Sequence, residues 1–195
     1  MPTPDTVVRF VARQAELDAA CAAMAQAASL PLDTEFARTD SFRARLCLVQ
    51  VGTASGIFCI DTLADLDLGG LWQVIAAPGR EKILHAAKQD IEVLLQRFGA
   101  APGPLFDTQV AAGLLGHPPQ AGYASLVEAE LGLRLDKTQT RTDWSRRPLT
   151  AAQVEYAAND VAWLPALAER LRAGLVAAGS EAWALADSAA LLDPA

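Results

Sequence analysis

The sequence predicts an α/β domain with a mixed sheet, and three observations carry that reading. Short apolar runs fall at residues 7–11, 30–36, 46–51 and 57–60, early in the chain. Beyond residue 66, stretches with helical spacing alternate with brief strand-like runs at 82–85 and 105–106. Gly, Pro and Ser clusters punctuate both halves. Strands joined by short turns read as an antiparallel meander, and strands separated by helices read as parallel ones with helical crossovers.

Each element has its own warrant. The β-branched run 7–11 is a first strand. Residues 15–28 have helical composition, with Leu17, Cys21, Met24 and Ala28 three or four apart. The strand 30–36 alternates: Leu32, Thr34 and Phe36 fall on one face, Asp33 and Glu35 on the other. Residues 38–45 form a basic loop with Arg38, Arg43 and Arg45, and 46–51 and 57–60 pair as a hairpin through Gly52-Thr53-Ala54-Ser55-Gly56. Helices are expected at 66–77, stopped by Pro78-Gly79, and at 90–98, stopped by Gly99. Further helices are expected at 107–115 and 122–131. Residues 134–148 are polar and basic. Thr150 caps a long helix, 151–178, with Glu155 too far along to complete a capping box and Pro165 expected to kink or divide it. Residues 180–195 are an Ala-rich helical tail.

Composition bounds the function. A chain of 195 residues, 52% hydrophobic, suits one large domain spanning residues 1–195 with ample core. No apolar run reaches the ~18 residues of a membrane span, and Met1–Asp5 lacks the basic start and apolar centre of a signal peptide. Three cysteines in apolar surroundings, with no Cys-x-x-Cys, read as reduced core residues of a cytoplasmic protein. A net charge of −7 excludes coating nucleic acid by bulk electrostatics, but not local capture of a few phosphates. Cations held by acid clusters would also make the formal count less negative.

The acids are placed suggestively. Asp33 and Glu35 share one face of an apolar strand, where they repel each other and resist burial. A divalent cation between them removes both costs, and an edge strand whose acids face water is the alternative. Asp90 opens a helix after the strand 82–85. Tyr156 and Asp160 lie four apart, hence on one helix face, and Asn159 and Asp160 are poor interior helix formers.

Asp33-Thr34-Glu35, the run His85-Ala86-Ala87-Lys88-Gln89-Asp90-Ile91-Glu92-Val93-Leu94, and Tyr156-Ala157-Ala158-Asn159-Asp160 resemble, in order, the three exonuclease motifs of the DEDDy 3′–5′ exonucleases. Within that superfamily the chain most resembles ribonuclease D. Asp107-Thr108-Gln109, Asp136-Lys137, Thr142-Asp143-Trp144 and Arg147-Pro148-Leu149-Thr150 extend the likeness, which runs over about residues 30–171. The DEDDh branch carries His five residues before the last Asp, where this chain has Glu155. Ribonuclease D commonly adds HRDC-type helical domains, for which 195 residues leave no room, so a nuclease domain alone is expected.

The resemblance implies an RNase H-like fold and a metal-dependent exoribonuclease that frees nucleoside 5′-monophosphates from RNA 3′ ends. It implies two divalent cations, Mg²⁺ or Mn²⁺. Asp33 would bridge both, Glu35 and Asp160 would hold one, and Asp90 the other. Zinc would want clustered His or Cys, which the sequence does not offer. Tyr156 is expected to orient the attacking water, since a phenol is a poor base at neutral pH. Lys137, Arg141, Arg146 and Arg147 could hold the nucleic-acid backbone with Trp144 stacked on a base; a solvated loop with Trp144 in the core is the alternative. Arg38, Arg43 and Arg45 could line the same groove. Phe36 and Gln50 are candidate contacts to the terminal nucleotide, although the alternation of Phe36 also suits the core. His85 is either a substrate contact or a strand-end residue hydrogen-bonded in place. Asp107 reads as a helix N-cap or a support to the site, Asp61 as a strand-end turn residue, His117 as loop surface and Glu92 as solvated.

The expected partners are single-stranded 3′ ends of RNA, with tRNA precursors or other structured small RNA as candidates, and no membrane. The sequence does not fix the oligomeric state. Other readings are an exonuclease acting mainly on DNA, a non-catalytic nucleic-acid-binding module on the same fold, and a phosphatase with Asp33 as nucleophile. The last would want a second Asp where Glu35 stands.

Overall fold

A computed structural model describes residues 6–38, 43–135 and 142–193. Among them lie six strands in one sheet: β1 (Val8–Val11), β2 (Ser29–Ala37), β3 (Arg45–Thr53), β4 (Gly56–Asp61), β5 (Glu81–Leu84) and β6 (Leu105–Asp107), in the order β1-β4-β3-β2-β5-β6. β2, β3 and β4 form the expected antiparallel meander, and β5 and β6 add in parallel. β1 pairs in parallel with β4 at the far edge. Its neighbour is not readable from four residues, because α1 (Gln14–Ala25) carries the chain past the positions of β4 and β3 before β2 begins.

The alternation of apolar residues builds a core on each face. Leu30, Leu32, Val49, Val51, Phe58 and Ile60 pack with Leu17 and Met24 of α1, Leu71 and Ile75 of α2 (Gly69–Ile75), and Ile91 and Leu94 of α3 (Lys88–Phe98). On the other face Leu48, Ile57, Cys59, Ile83 and Phe106 pack with Ala157 and Val161 of α6 (Ala151–Ala162) and Leu167 and Leu171 of α7 (Leu164–Ala178). α4 (Thr108–Leu114), α5 (Tyr123–Leu131) and α8 (Glu181–Ala190) complete the helices. Each buried Leu or Ile contributes roughly 1.5–3 kcal/mol of transfer free energy. No helix among the described residues is long and apolar enough to cross a membrane.

Three expectations change in detail. α2 is shorter than 66–77, since its start waits for the Asp67 carboxylate to accept the Gly69 N–H at 2.9 Å. The capping box that Glu155 could not make forms with Gln153: its side chain accepts the Thr150 N–H at 2.8 Å while Thr150 Oγ1 accepts the Gln153 N–H at 3.2 Å. Gln serves at that position as Glu does. The helix 151–178 divides at Trp163, with Pro165 in the first turn of α7. Tyr123 closes the break, its hydroxyl donating to Asn159 O and accepting from Trp163 N–H.

The sheet parts at one place. β5 pairs with β2 only over Ser29–Pro31, yet β2 runs on to Ala37 against β3. The carboxyl half of β2 therefore lies where antiparallel and parallel partners meet, and α3 begins beside it. Crevices at such carboxyl ends are where open α/β sheets bind ligands.

Candidate active site

Asp33 and Glu35 point from β2 to the face covered by α6, and Tyr156 and Asp160 point back from α6. One carboxylate oxygen from each of Asp33, Glu35 and Asp160 lies within 4.8 Å of the other two. Asp90 arrives by another route. It sits in the first turn of α3, which packs on the opposite face, and reaches β2 past the end of β5. The Thr34 hydroxyl donates to Asp90 Oδ1 at 2.5 Å. The negative charge of Asp90 acts on both Asp33 and Glu35, so the four acids form one electrostatic unit.

That unit is held without positive charge. Among the described residues no ion pair reaches any of the four, and no cation offsets their shifts. Burial, reinforced by the neighbouring acids, pushes Asp33 well above the usual carboxylate range and Glu35 up to about 9. Burial lifts Asp90 and Asp160 to about 7, against the opposing pull of Thr34 on Asp90 and of the Tyr156 phenol on Asp160. The Tyr156 hydroxyl is itself pushed upward by burial and by the charges of Asp160, Glu35 and Asp33, so it stays protonated and acts as a donor.

The donor set fits hard divalent cations. All the ligands are carboxylates converging from three elements, and their mutual repulsion is the cost that such ions remove. Three of the acids also face one neutral side-chain donor each: Gln50 Nε2 is 3.5 Å from Asp33 Oδ2, Thr34 bonds Asp90, and Tyr156 favours ionised Asp160. The amide oxygen of Gln50 is buried with no partner among the described residues.

The outer candidates separate. Gln50 is fully buried beneath Asp33, which places it behind the acids rather than on an open surface. Phe36 is half-buried against the core, with the Arg38 guanidinium 5.5 Å from its ring centre. His85 is held in place: Nε2 is 2.9 Å from Ala121 O, Nδ1 is 2.9 Å from Thr108 Oγ1, and burial lowers its pKa. Trp144 is 6% exposed, with its ring 6.3 Å from that of Tyr156, so it has no open face for a base and takes the core alternative. Arg147 is committed to Asp61, and Arg146 to Asp143. Arg38, beyond its place over Phe36, lies 4.0 Å from Glu92, and Arg45 is exposed. Lys137 and Arg141 lie outside the described residues.

Asp107 does cap α4, and its carboxylate also accepts the N–H groups of Ala86 and Ala87 in the turn that launches α3. His117 is half-buried and bonded to Glu130 at 2.7 Å, not loop surface. Sequence reasoning misses Thr34, which alternation puts on the face away from Asp33, and Tyr123, half-buried with its hydroxyl at the α6–α7 break. The one available signal for Tyr123 is its place at the start of a helix that needs an inward anchor.

Comparison with known proteins adds to this geometry. The model of the family described as 3′-5′ exonuclease matches residues 8–175. Ribonuclease D of Acidiphilium cryptum is 46% identical over 180 residues, covering 92% of this chain and 46% of that protein. The crystal structure of Escherichia coli RNase D, described as an exoribonuclease involved in structured RNA processing, superposes with a TM-score of 0.91 at 36% identity, over 96% of this chain and 50% of that one. Brucella melitensis NrnC with bound Mg²⁺ superposes at 0.79 and 26% identity, over 95% and 90%. The chain spans about half the length of the curated relatives it matches.

Proposed function

The chain belongs to the 3′–5′ exonuclease family, and from that premise we propose that it is a metal-dependent exoribonuclease of the ribonuclease D type. It removes nucleotides from single-stranded RNA 3′ ends as nucleoside 5′-monophosphates. The observation that carries this reading is the group of four acids, Asp90 buried and Asp33, Glu35 and Asp160 half-buried, left without any counter-cation from the described residues. The resident cations are two Mg²⁺ or Mn²⁺ ions. Asp33, Glu35 and Asp160 would hold one, and Asp33 and Asp90 the other. Bound there, they supply the charge that acidifies a water, neutralises the scissile phosphate and eases departure of the 3′ oxygen.

The chain's own groups do the rest. Thr34 fixes Asp90, and Gln50 backs Asp33. Tyr156, kept protonated and bonded to Asp160 in the cation-free protein, would turn that O–H to orient the attacking water when cations hold Asp160, while Trp144 packs behind its ring. The reactive face is the crevice at the carboxyl end of β2. RNA as substrate rests on the ribonuclease D relatives, and Mg²⁺ is supported by NrnC, which carries it. Residues 1–195 act as one nuclease domain, and the free cysteines suit a cytoplasmic setting.

The test is digestion of an end-labelled 3′-hydroxyl oligoribonucleotide. Stepwise shortening with Mg²⁺ or Mn²⁺, abolished by EDTA and by Asp33→Ala, is expected. Faster digestion of the matching oligodeoxyribonucleotide would move the assignment to DNA. Intact RNA and DNA in fresh metal would leave the non-catalytic binding module standing instead.

A further inference from the structure

We propose that Gln50 is a positioning residue for Asp33: its buried side-chain amide sets the orientation in which Asp33 offers its carboxylate to cations. The inference rests on the metal-dependent reading above and deepens it. Gln50 and Asp33 are direct cross-strand partners in the β2–β3 ladder, so their side chains share a face at fixed separation. β3 is bonded on both sides, to β2 and to β4, so the Gln50 backbone has no freedom to drift. Its side chain is fully buried on the α6 face of the sheet, the face that Leu48 and its cross-strand partner Cys59 share, where Leu or Met would pack without penalty.

The amide makes poor use of that position as a structural group. Nε2 reaches one acceptor, Asp33 Oδ2 at 3.5 Å, and Oε1 has no partner among the described residues. A buried, half-satisfied amide destabilises the fold, so what it does for Asp33 is its purpose. The choice of donor fits. Lys or Arg at this place would neutralise Asp33 and compete with the cation, whereas an amide orients the carboxylate and leaves its charge intact. Thr34 and Tyr156 serve Asp90 and Asp160 in the same neutral manner.

The test compares wild type, Gln50→Met and Gln50→Asn after stripping with EDTA. Urea unfolding without metal, calorimetric titration with Mn²⁺, and steady-state kinetics on the 3′-hydroxyl oligoribonucleotide are measured on each. Gln50→Met should unfold at the same or higher urea concentration than wild type, since the orphaned oxygen is gone. Its Mn²⁺ midpoint should rise about 10-fold or more, and kcat at limiting Mn²⁺ should fall and recover with excess, at unchanged KM. Gln50→Asn keeps an amide but withdraws it by one methylene, and should weaken Mn²⁺ binding likewise; it serves if the Met variant fails to fold. Wild-type Mn²⁺ affinity and kcat in the variants would overturn the assignment of Gln50 while the nuclease reading stood. A wild-type protein that takes up no Mn²⁺ and leaves RNA intact would overturn both.

Discussion

Asp61 and Asp33 are carboxylates on strands of one sheet, and the fold treats them in opposite ways. Asp61, at the end of β4, receives two bonds of 2.7 Å from the Arg147 guanidinium and a third from Leu63 N–H. Burial pushes its pKa upward, and Arg147 together with those bonds holds it below the usual carboxylate range. Asp33, on β2, has acids for neighbours, the Thr34 N–H and a distant side-chain amide as donors, and a pKa well above that range. A buried carboxylate that serves the fold is neutralised by the fold. One that is crowded, given no counter-charge and oriented by neutral donors serves something that arrives from outside.

The comparison can be broken at either end. The largest effect belongs to the crowded group. Asp33→Ala or Asp160→Asn should lower kcat by on the order of 10³ or more, while Asp160→Asn raises stability in EDTA because it relieves repulsion. Urea unfolding beside the RNA assay checks both, and a variant that loses activity and stability together would make the acids structural. Next comes Tyr156→Phe, expected to cut kcat by about 10²-fold with KM unchanged, from loss of the water-orienting donor. Equal kcat would return Tyr156 to packing.

At the other end, Arg147→Met leaves Asp61 unpaired and should cost about 2–3 kcal/mol of unfolding free energy, the partial exposure of Arg147 softening the loss. Mn²⁺ affinity should be unchanged, and a weakened Mn²⁺ site would erase the distinction between the two regions.

The smallest effect is on pH dependence. Folding raises the pKa values of the crowded acids, so their contribution is fullest below the unfolded range, about pH 4. It is lost as pH rises through about 7 for Asp90 and Asp160 and about 9 for Glu35. Asp61 has the opposite sign, since its lowered pKa contributes above about pH 4 and is lost on acidification. Metal-free protein should therefore lose stability from about pH 5 to about pH 9, and saturating Mn²⁺ should flatten that slope. A slope unaffected by Asp33→Asn or Glu35→Gln would assign it elsewhere.

The sequence makes one of these regions legible and hides the other. Asp33 and Glu35 two apart on a strand, and Tyr156 and Asp160 four apart on a helix, are fixed by local periodicity, so their faces are readable before their meeting is known. Asp61 and Arg147 stand 86 residues apart with no periodic relation, and their pairing depends on where the β4 terminus meets the segment before α6. Alternation puts Thr34 correctly on the face away from Asp33, but only the early end of β5 brings α3 and Asp90 to it. Trp144 and Arg147 lie in a polar, basic stretch whose composition suggests solvent and phosphate, whereas both are drawn inward by Tyr156 and Asp61. Gln50 offers no local signal, because a polar residue in an apolar strand does not say which partner lies opposite.

Asp33 and Glu35 await cations protonated, with no counter-charge from the described residues, and on that the two-region contrast depends. Calorimetric titration of Mn²⁺ at about pH 7 in two buffers of different ionisation enthalpy counts the protons released on binding. Release of at least about one proton per protein is predicted, since the raised carboxyls of Asp33 and Glu35 must ionise to become ligands, with a smaller release from Glu35→Gln. Binding of Mn²⁺ with no proton release, or with the same release in that variant, would contradict the account.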